Sequence, residues 1–106
     1  MKIEIARHWT RVAELGCIVT GGPATIHHVH GGSCRFHGIH KGLGQKTSDW
    51  LVIPLCAELH YLPPDGIDCG RISVIEWETR YGTQVEHLLE VSRRLGYDVI
   101  EKAGLR

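Results

Sequence analysis

Two adjacent histidines, His27 and His28, and a third at His60 are the residues whose types and spacing can do chemistry. Eight of the 106 residues are histidine, and five of these fall between His27 and His40. Imidazole is the commonest metal ligand and the side chain whose charge changes closest to neutral pH, so the cluster predicts a divalent-ion site, a proton-transfer site, or both. Neighbouring residues of a strand point to opposite faces, which gives the pair different jobs, one holding an ion and the other acting on a water. A twisted strand end would let both reach one cleft. An ion there needs two or three nitrogen or oxygen ligands and open positions for water and substrate.

The elements that must position these side chains can be read from periodicity and breakers. Ile5, Trp9, Val12, Ala13 and Leu15 form an approximate helical stripe that stops at Gly16. Cys17–Thr20 and Ala24–Val29 are β-prone runs on either side of Gly21-Gly22-Pro23, the pattern of a hairpin. Residues 33–49 are rich in Gly, His, Lys and Ser without a period, which predicts a long ordered loop that gathers function. After the apolar run Leu51–Leu55, the segment Cys56–His60 is compatible with a helix of barely two turns, started by Pro54 and ended by Pro63-Pro64, with a turn at Pro64-Asp65-Gly66. Ser73…Glu76 and Thr83…Glu86 are capping boxes that open two further helices, closed by Gly82 and Gly96. In the second, Val85, Leu88, Leu89, Ser92 and Leu95 are expected to face the core, with Glu86, Glu90, Arg93 and Arg94 in water. Trp9, Trp77 and Tyr81 are expected in the core with a polar edge, and His8 and His87 at the surface.

Length and composition bound the function classes. At 106 residues, with 42% hydrophobic and 23% charged, the chain fits one globular domain over residues 1–106. Twelve basic and twelve acidic residues give zero formal charge, which excludes binding to nucleic acid through a bulk positive field, as in a histone-like or coat-like protein. The charge is uneven, however: Asp49 is the only acid between Ala24 and Leu55, where Arg35, Lys41 and Lys46 lie, and Arg71 and Arg80 follow. Each alone reads as ordinary solvated charge; as a group they describe a locally positive surface for DNA phosphates. Met1–Ile5 opens no signal-peptide pattern, so Cys17, Cys34, Cys56 and Cys69 are expected as reduced thiols in a cytoplasm. The longest apolar run is far short of the roughly 20 residues of a membrane span.

Ile26-His27-His28-Val29, then Asp49, then Ile53-Pro54-Leu55-Cys56-x-x-x-His60 resembles the motif of HNH, or ββα-metal, nucleases. With Trp9…Leu15-Gly16-Cys17 before it and Gly70-Arg71…Trp77-Glu78-x-Arg80-Tyr81-Gly82-Thr83…Leu88-Leu89 after it, most of the chain resembles the phage Ref family of RecA-dependent HNH endonucleases. The resemblance implies an α+β fold: a ββα-metal (His-Me finger) core with an N-terminal helix and two C-terminal helices. It further implies His27 and His60 as ligands of a divalent ion and His28 as the general base that deprotonates water for attack on a phosphodiester. Asp49 stands nearest the motif's asparagine, which orients the base, and reads equally as a turn or N-cap residue. Asp68 falls where relatives carry another histidine after a Gly-aliphatic pair. It would ligate through oxygen, shifting preference somewhat toward Mg²⁺ or Mn²⁺ over Zn²⁺, and reads equally as a turn residue. His30, His37 and His40 are expected in contact with solvent or phosphate.

Many HNH proteins carry a second, structural zinc on two Cys-x-x-Cys knuckles; here Thr20 and Leu59 replace the second cysteine of each. A rearranged zinc site on Cys17 and Cys56 would have to recruit Cys34, Cys69, His37 or His40. The family also implies a RecA filament as partner, a role in DNA recombination or repair, and a phage or prophage source in a bacterial cytoplasm. Two other readings stand beside the nuclease: a catalytically silent DNA- or protein-binding module on the same scaffold, and a purely structural zinc domain.

Overall fold

The computed structural model describes residues 1–40 and 46–106, arranged as an α+β fold around a small two-stranded sheet. Helix α1 (Ile3–Glu14) leads to strand β1 (Thr25–His28), a 3-10 helix (Gly32–His37) and strand β2 (Val52–Leu55). Short helix α2 (Ala57–His60) follows at once, then α3 (Val74–Tyr81), α4 (Gln84–Leu95) and α5 (Val99–Lys102). α1 and α4 pack on the sheet, and the 3-10 helix packs on α3 and α4. No helix among the described residues is long and apolar enough to cross a membrane.

The expected hairpin is not the one that forms. Gly16 and Gly21 have φ of 78° and 80°, Cys17 N–H donates to Gly22 O at 2.7 Å and Gly21 N–H to Cys17 O at 2.8 Å. Those bonds roll residues 17–22 into a tight loop whose one tie to the sheet is Ile18 N–H on Pro54 O at 2.9 Å. β1 pairs antiparallel with β2 instead, His27 opposite Ile53 and His28 opposite Val52. Burial explains the choice, since every residue of β2 is buried and only a central position between helices removes that run from water. Pro54 therefore sits in the strand rather than starting α2, whose N-cap is Cys56.

Both predicted caps form through the hydroxyl: Glu76 N–H donates to Ser73 Oγ at 3.0 Å and Glu86 N–H to Thr83 Oγ1 at 3.1 Å. The Glu76 carboxylate does not return to its cap, however, because Arg80 takes it at 2.7 Å. The buried side of α4 is Gln84, Val85, Leu88 and Val91, whereas Leu89 is exposed. Third and unexpected among the C-terminal helices is α5. Asp98 Oδ1 caps it by accepting from Ile100 and Glu101 N–H, and Val99 and Ile100 are buried. Where composition predicts a loop over residues 33–49, the 3-10 helix Gly32–His37 supplies regular structure at its start, held by the buried Glu78 carboxylate. Glu78 accepts from Ser33 N–H at 2.8 Å, Ser33 Oγ–H at 2.6 Å and Gln84 N–H at 2.7 Å.

His8 and His87 are not surface residues: His8 is 1% exposed and His87 half-buried. His8 lies between Tyr97 Oη (2.7 Å from Nδ1) and Trp50 O (3.1 Å from Nε2). Burial lowers its pKa below the usual 6.5, the hydrogen bond to Trp50 O opposes that, and Arg11 adds to it. The unfolded chain therefore binds a proton at His8 more readily than the folded one. Stability from this site is full above about pH 6.5 and is lost as pH falls through the lowered folded pKa. Urea midpoints taken from pH 7.5 down to 5 are expected to fall, and to fall less in His8→Phe; equal slopes would place the loss elsewhere.

Gly32 has φ 50°, and a Cβ there would overlap Glu78 Oε1, whereas Gly38 has φ 72° with open space around it. Gly38→Ala should cost about 1–2 kcal/mol, the left-handed penalty alone. Gly32→Ala should cost at least about 3 kcal/mol, because it also displaces a buried carboxylate from its three donors. Equal losses in urea melts would show that Glu78 moves aside freely.

Candidate functional site

Strand β1 ends where the loop after α2 returns, and that junction collects the chemistry. Asp68 N–H donates to His60 O at 2.8 Å and Ile67 N–H to Leu59 O at 2.9 Å, which folds the segment after α2 back onto the helix. Gly66 permits the return, since a Cβ there would lie 2.7 Å from Leu62 O. The Asp68 carboxylate then meets three imidazoles: Oδ2 is 3.3 Å from His27 Nδ1 and 3.2 Å from His60 Nε2, and Oδ1 is 2.7 Å from His30 Nε2. Burial alone would raise the pKa of Asp68, but the three rings outweigh it and hold the carboxyl well below the usual carboxylate range.

Hydrogen-bond counting fixes two of the tautomers. Gln84, fully buried, donates its Nε2–H to His30 O at 2.7 Å and accepts His30 N–H on Oε1 at 3.1 Å, which settles which way its amide points. His27 Nε2, 3.0 Å from the same Oε1, must then be the protonated nitrogen. Thr25 has one hydroxyl proton and gives it to Leu55 O at 2.7 Å, so His60 Nδ1, 2.6 Å from Thr25 Oγ1, must donate. In their neutral forms His27 and His60 would therefore turn lone pairs, on Nδ1 and Nε2, toward one carboxylate oxygen. Burial lowers the pKa of His27, against the pull of Asp68, so the ring is neutral near pH 7. Its Nδ1 is buried without a hydrogen-bond partner.

Lone pairs facing an anion at this distance are unfavourable, so an ionised Asp68 calls for a cation beside it, either a proton on the rings or a metal ion among them. The donor set fits a divalent ion: His27, His30 and Asp68 offer ligand atoms within 4.8 Å of one another. His60 Nε2, outside that group, reaches the same carboxylate from α2 at 3.2 Å. Two imidazoles clamped from behind by an amide and a hydroxyl are the usual outer support of metal-binding histidines.

His28, on the other face of β1, places Nε2 2.9 Å from Asp49 Oδ1, and its ring stands edge-on to Trp9 at 5.3 Å. Trp9 Nε1–H also donates to Asp49 O at 2.8 Å, fixing the carboxylate's backbone. With Nε2–H held by Asp49, the free nitrogen of His28 is Nδ1. A cleft of about 320 Å³ is lined by His28, His30, Lys46, Thr47, His60 and Asp68, so the two groups share one opening.

The remaining expected residues fall as follows. Arg35 is exposed and lines a second cleft of about 500 Å³ that shares His30 and Thr47 with the first. Arg71 is exposed outside the lining of both, and Lys41 lies outside the described residues. His37 and His40 are exposed, whereas His30, expected to face solvent or phosphate, joins the Asp68 group. The four cysteines are free thiols. Cys17 and Cys56 lie against each other, but Cys34 packs near Glu78, where burial and that carboxylate push its pKa up to about 12. Cys69 sits apart on Pro64 O, so among the described residues no cysteine joins a metal-competent group. Gln84 and Thr25 escaped notice in the sequence, although Gln84 shares a helix face with Leu88 and Val91, a polar residue in a core stripe.

Comparison of the chain with protein-family models, with curated proteins and with solved structures finds no match. Thr25→Val should lower divalent-ion affinity about 10–100-fold, because His60 loses the acceptor that fixes its tautomer, while Thr25→Ser keeps it. Calorimetric titration with Zn²⁺ and Mn²⁺ reads the difference; equal affinities in both variants would remove Thr25 from the site's support.

Proposed function

We propose that the protein is a metal-dependent DNA endonuclease of the HNH, ββα-metal type. The observation that carries this reading is one cleft lined by His28, which is paired with Asp49 behind it, and by His30, His60 and Asp68. His27, His60 and Asp68 would hold the ion, and the added nitrogen of His30 beside them moves the preference from Mg²⁺ toward Zn²⁺ or Mn²⁺. Bound there, a divalent ion supplies positive charge to the scissile phosphate and the leaving oxygen. His28 takes the proton of the attacking water on Nδ1, and Asp49, accepting from Nε2–H, holds the tautomer that leaves Nδ1 free and stabilises the imidazolium that forms. Lys46, on the cleft wall, and Arg35, in the adjoining cleft, supply cations for flanking phosphates on a protein of zero net charge. The Ref resemblance extends the proposal to DNA held in RecA filaments and to recombination in a phage or prophage setting.

Plasmid nicking and single-strand cleavage with Mg²⁺, Mn²⁺ or Zn²⁺, each with and without RecA and ATP, test this directly. Wild type should cut, His28→Ala should lose at least about 100-fold in rate while still binding DNA, and Asp49→Asn should lose less. Cleavage only in the RecA lanes would assign the subfamily. Unaltered DNA binding with no cutting in any lane by a folded, metal-loaded protein would replace the nuclease with a silent binding module.

A further inference from the structure

His30 differs from the other two imidazoles of the site in how it is held. The rings of His27 and His60 are each clamped at the far nitrogen, by Gln84 Oε1 and Thr25 Oγ1. For His30 it is the backbone that Gln84 grips, taking the N–H and giving to the C=O, while the ring's sole hydrogen bond among the described residues is Nε2 to Asp68 Oδ1. The ring is also 30% exposed where His27 is 1%, and it stands at the junction of the two clefts, lining both. The larger cleft, about 500 Å³ with Arg35 and His40 on its wall, gives it room to turn away.

A histidine that binds metal permanently has its second nitrogen fixed by an acceptor, because an unclamped ring loses the orientation that makes it a strong ligand. The anchored backbone keeps His30 Nε2 within reach of the ion, and the unclamped ring lets it leave. We propose that His30 is a fourth, displaceable ligand, which closes the coordination shell with His27, His60 and Asp68 at rest and yields its place to a phosphate oxygen of the substrate. This rests on the metal reading of the site. The exchange balances simply: the bond from His30 Nε2 breaks, the bond from the phosphate oxygen forms, and the ring turns into the Arg35 cleft. At rest the protein then carries a filled four-ligand shell, which favours Zn²⁺ among the candidate ions and limits idle hydrolysis.

X-ray absorption at the zinc edge of the Zn²⁺-loaded protein, with and without a saturating dinucleotide phosphodiester, counts the imidazoles on the ion. Three imidazoles at rest and two with the phosphodiester are expected. His30→Ala should show two in both states, with Zn²⁺ affinity reduced about tenfold, the lower end of the range for lost support of a ligand. Two imidazoles in the resting wild type would reduce His30 to a hydrogen-bond donor on Asp68 and overturn the proposal while leaving the metal site standing. Three in both states would make it a permanent ligand and overturn displacement. Failure of the wild type to bind Zn²⁺ or Mn²⁺ would remove the metal reading and this proposal together.

Discussion

One buried amide ties the chemistry to the fold. Gln84, fully enclosed at the start of α4, takes the imidazole proton of His27 and both backbone groups of His30 on its side chain, and offers its own N–H to Glu78. Glu78 in turn holds Ser33, the start of the 3-10 helix. The end of β1, the 3-10 helix and the α3–α4 junction are therefore one connected polar network. Each such bond adds only about 0.5–1.5 kcal/mol net, but an orphaned buried member costs about 1–3 kcal/mol. The network thus does more to exclude other arrangements of these elements than to raise stability, and what it specifies is where two imidazoles point.

Side-chain chemistry was more legible in the sequence than the pairing that delivers it. His27, His60 and Asp68 meet in one place, and His28 meets Asp49; the histidines stand out by residue type, and the two aspartates only through the resemblance to the HNH motif. The sheet was misread for the opposite reason. Residues 17–20 are β-prone and adjacent to β1, but their glycine-bounded loop closes on itself, and the true partner lies across the 23 residues between His28 and Val52. Local propensity carries no information about such a distant pairing. Gln84 and Thr25 were invisible for a third reason: a glutamine beside an N-cap and a threonine opening a strand are ordinary at those positions. Only the proton count at their partners distinguishes them.

His30 shows how the surroundings, rather than the residue type, set a role. In sequence it is one of five closely spaced histidines; in the fold it alone combines an anchored backbone, an unclamped ring and contact with two clefts. The turn into Gly31 and Gly32, with φ of 63° and 50°, places it there, because the chain leaves β1 sharply under the Glu78 carboxylate. Glycine at Gly32 is thus coupled to the site through sterics: a side chain there would push on the same carboxylate that positions Gln84.

On the proposed reading, the same geometry would let a protein of zero net charge meet a phosphate. Where His27 and His60 are neutral they face the Asp68 carboxylate with lone pairs, so the junction of β1, α2 and the returning loop has a place for a cation. A divalent cation bound there would relieve that contact and leave a net positive centre, with Lys46 on the cleft wall. Because the candidate ligands come from a strand, a helix and a loop that are adjacent only in the folded chain, the free energy of binding an ion there would also be free energy of folding. Affinity for phosphate and integrity of the β1–α2 junction would then be two consequences of one interaction, independent of the net charge.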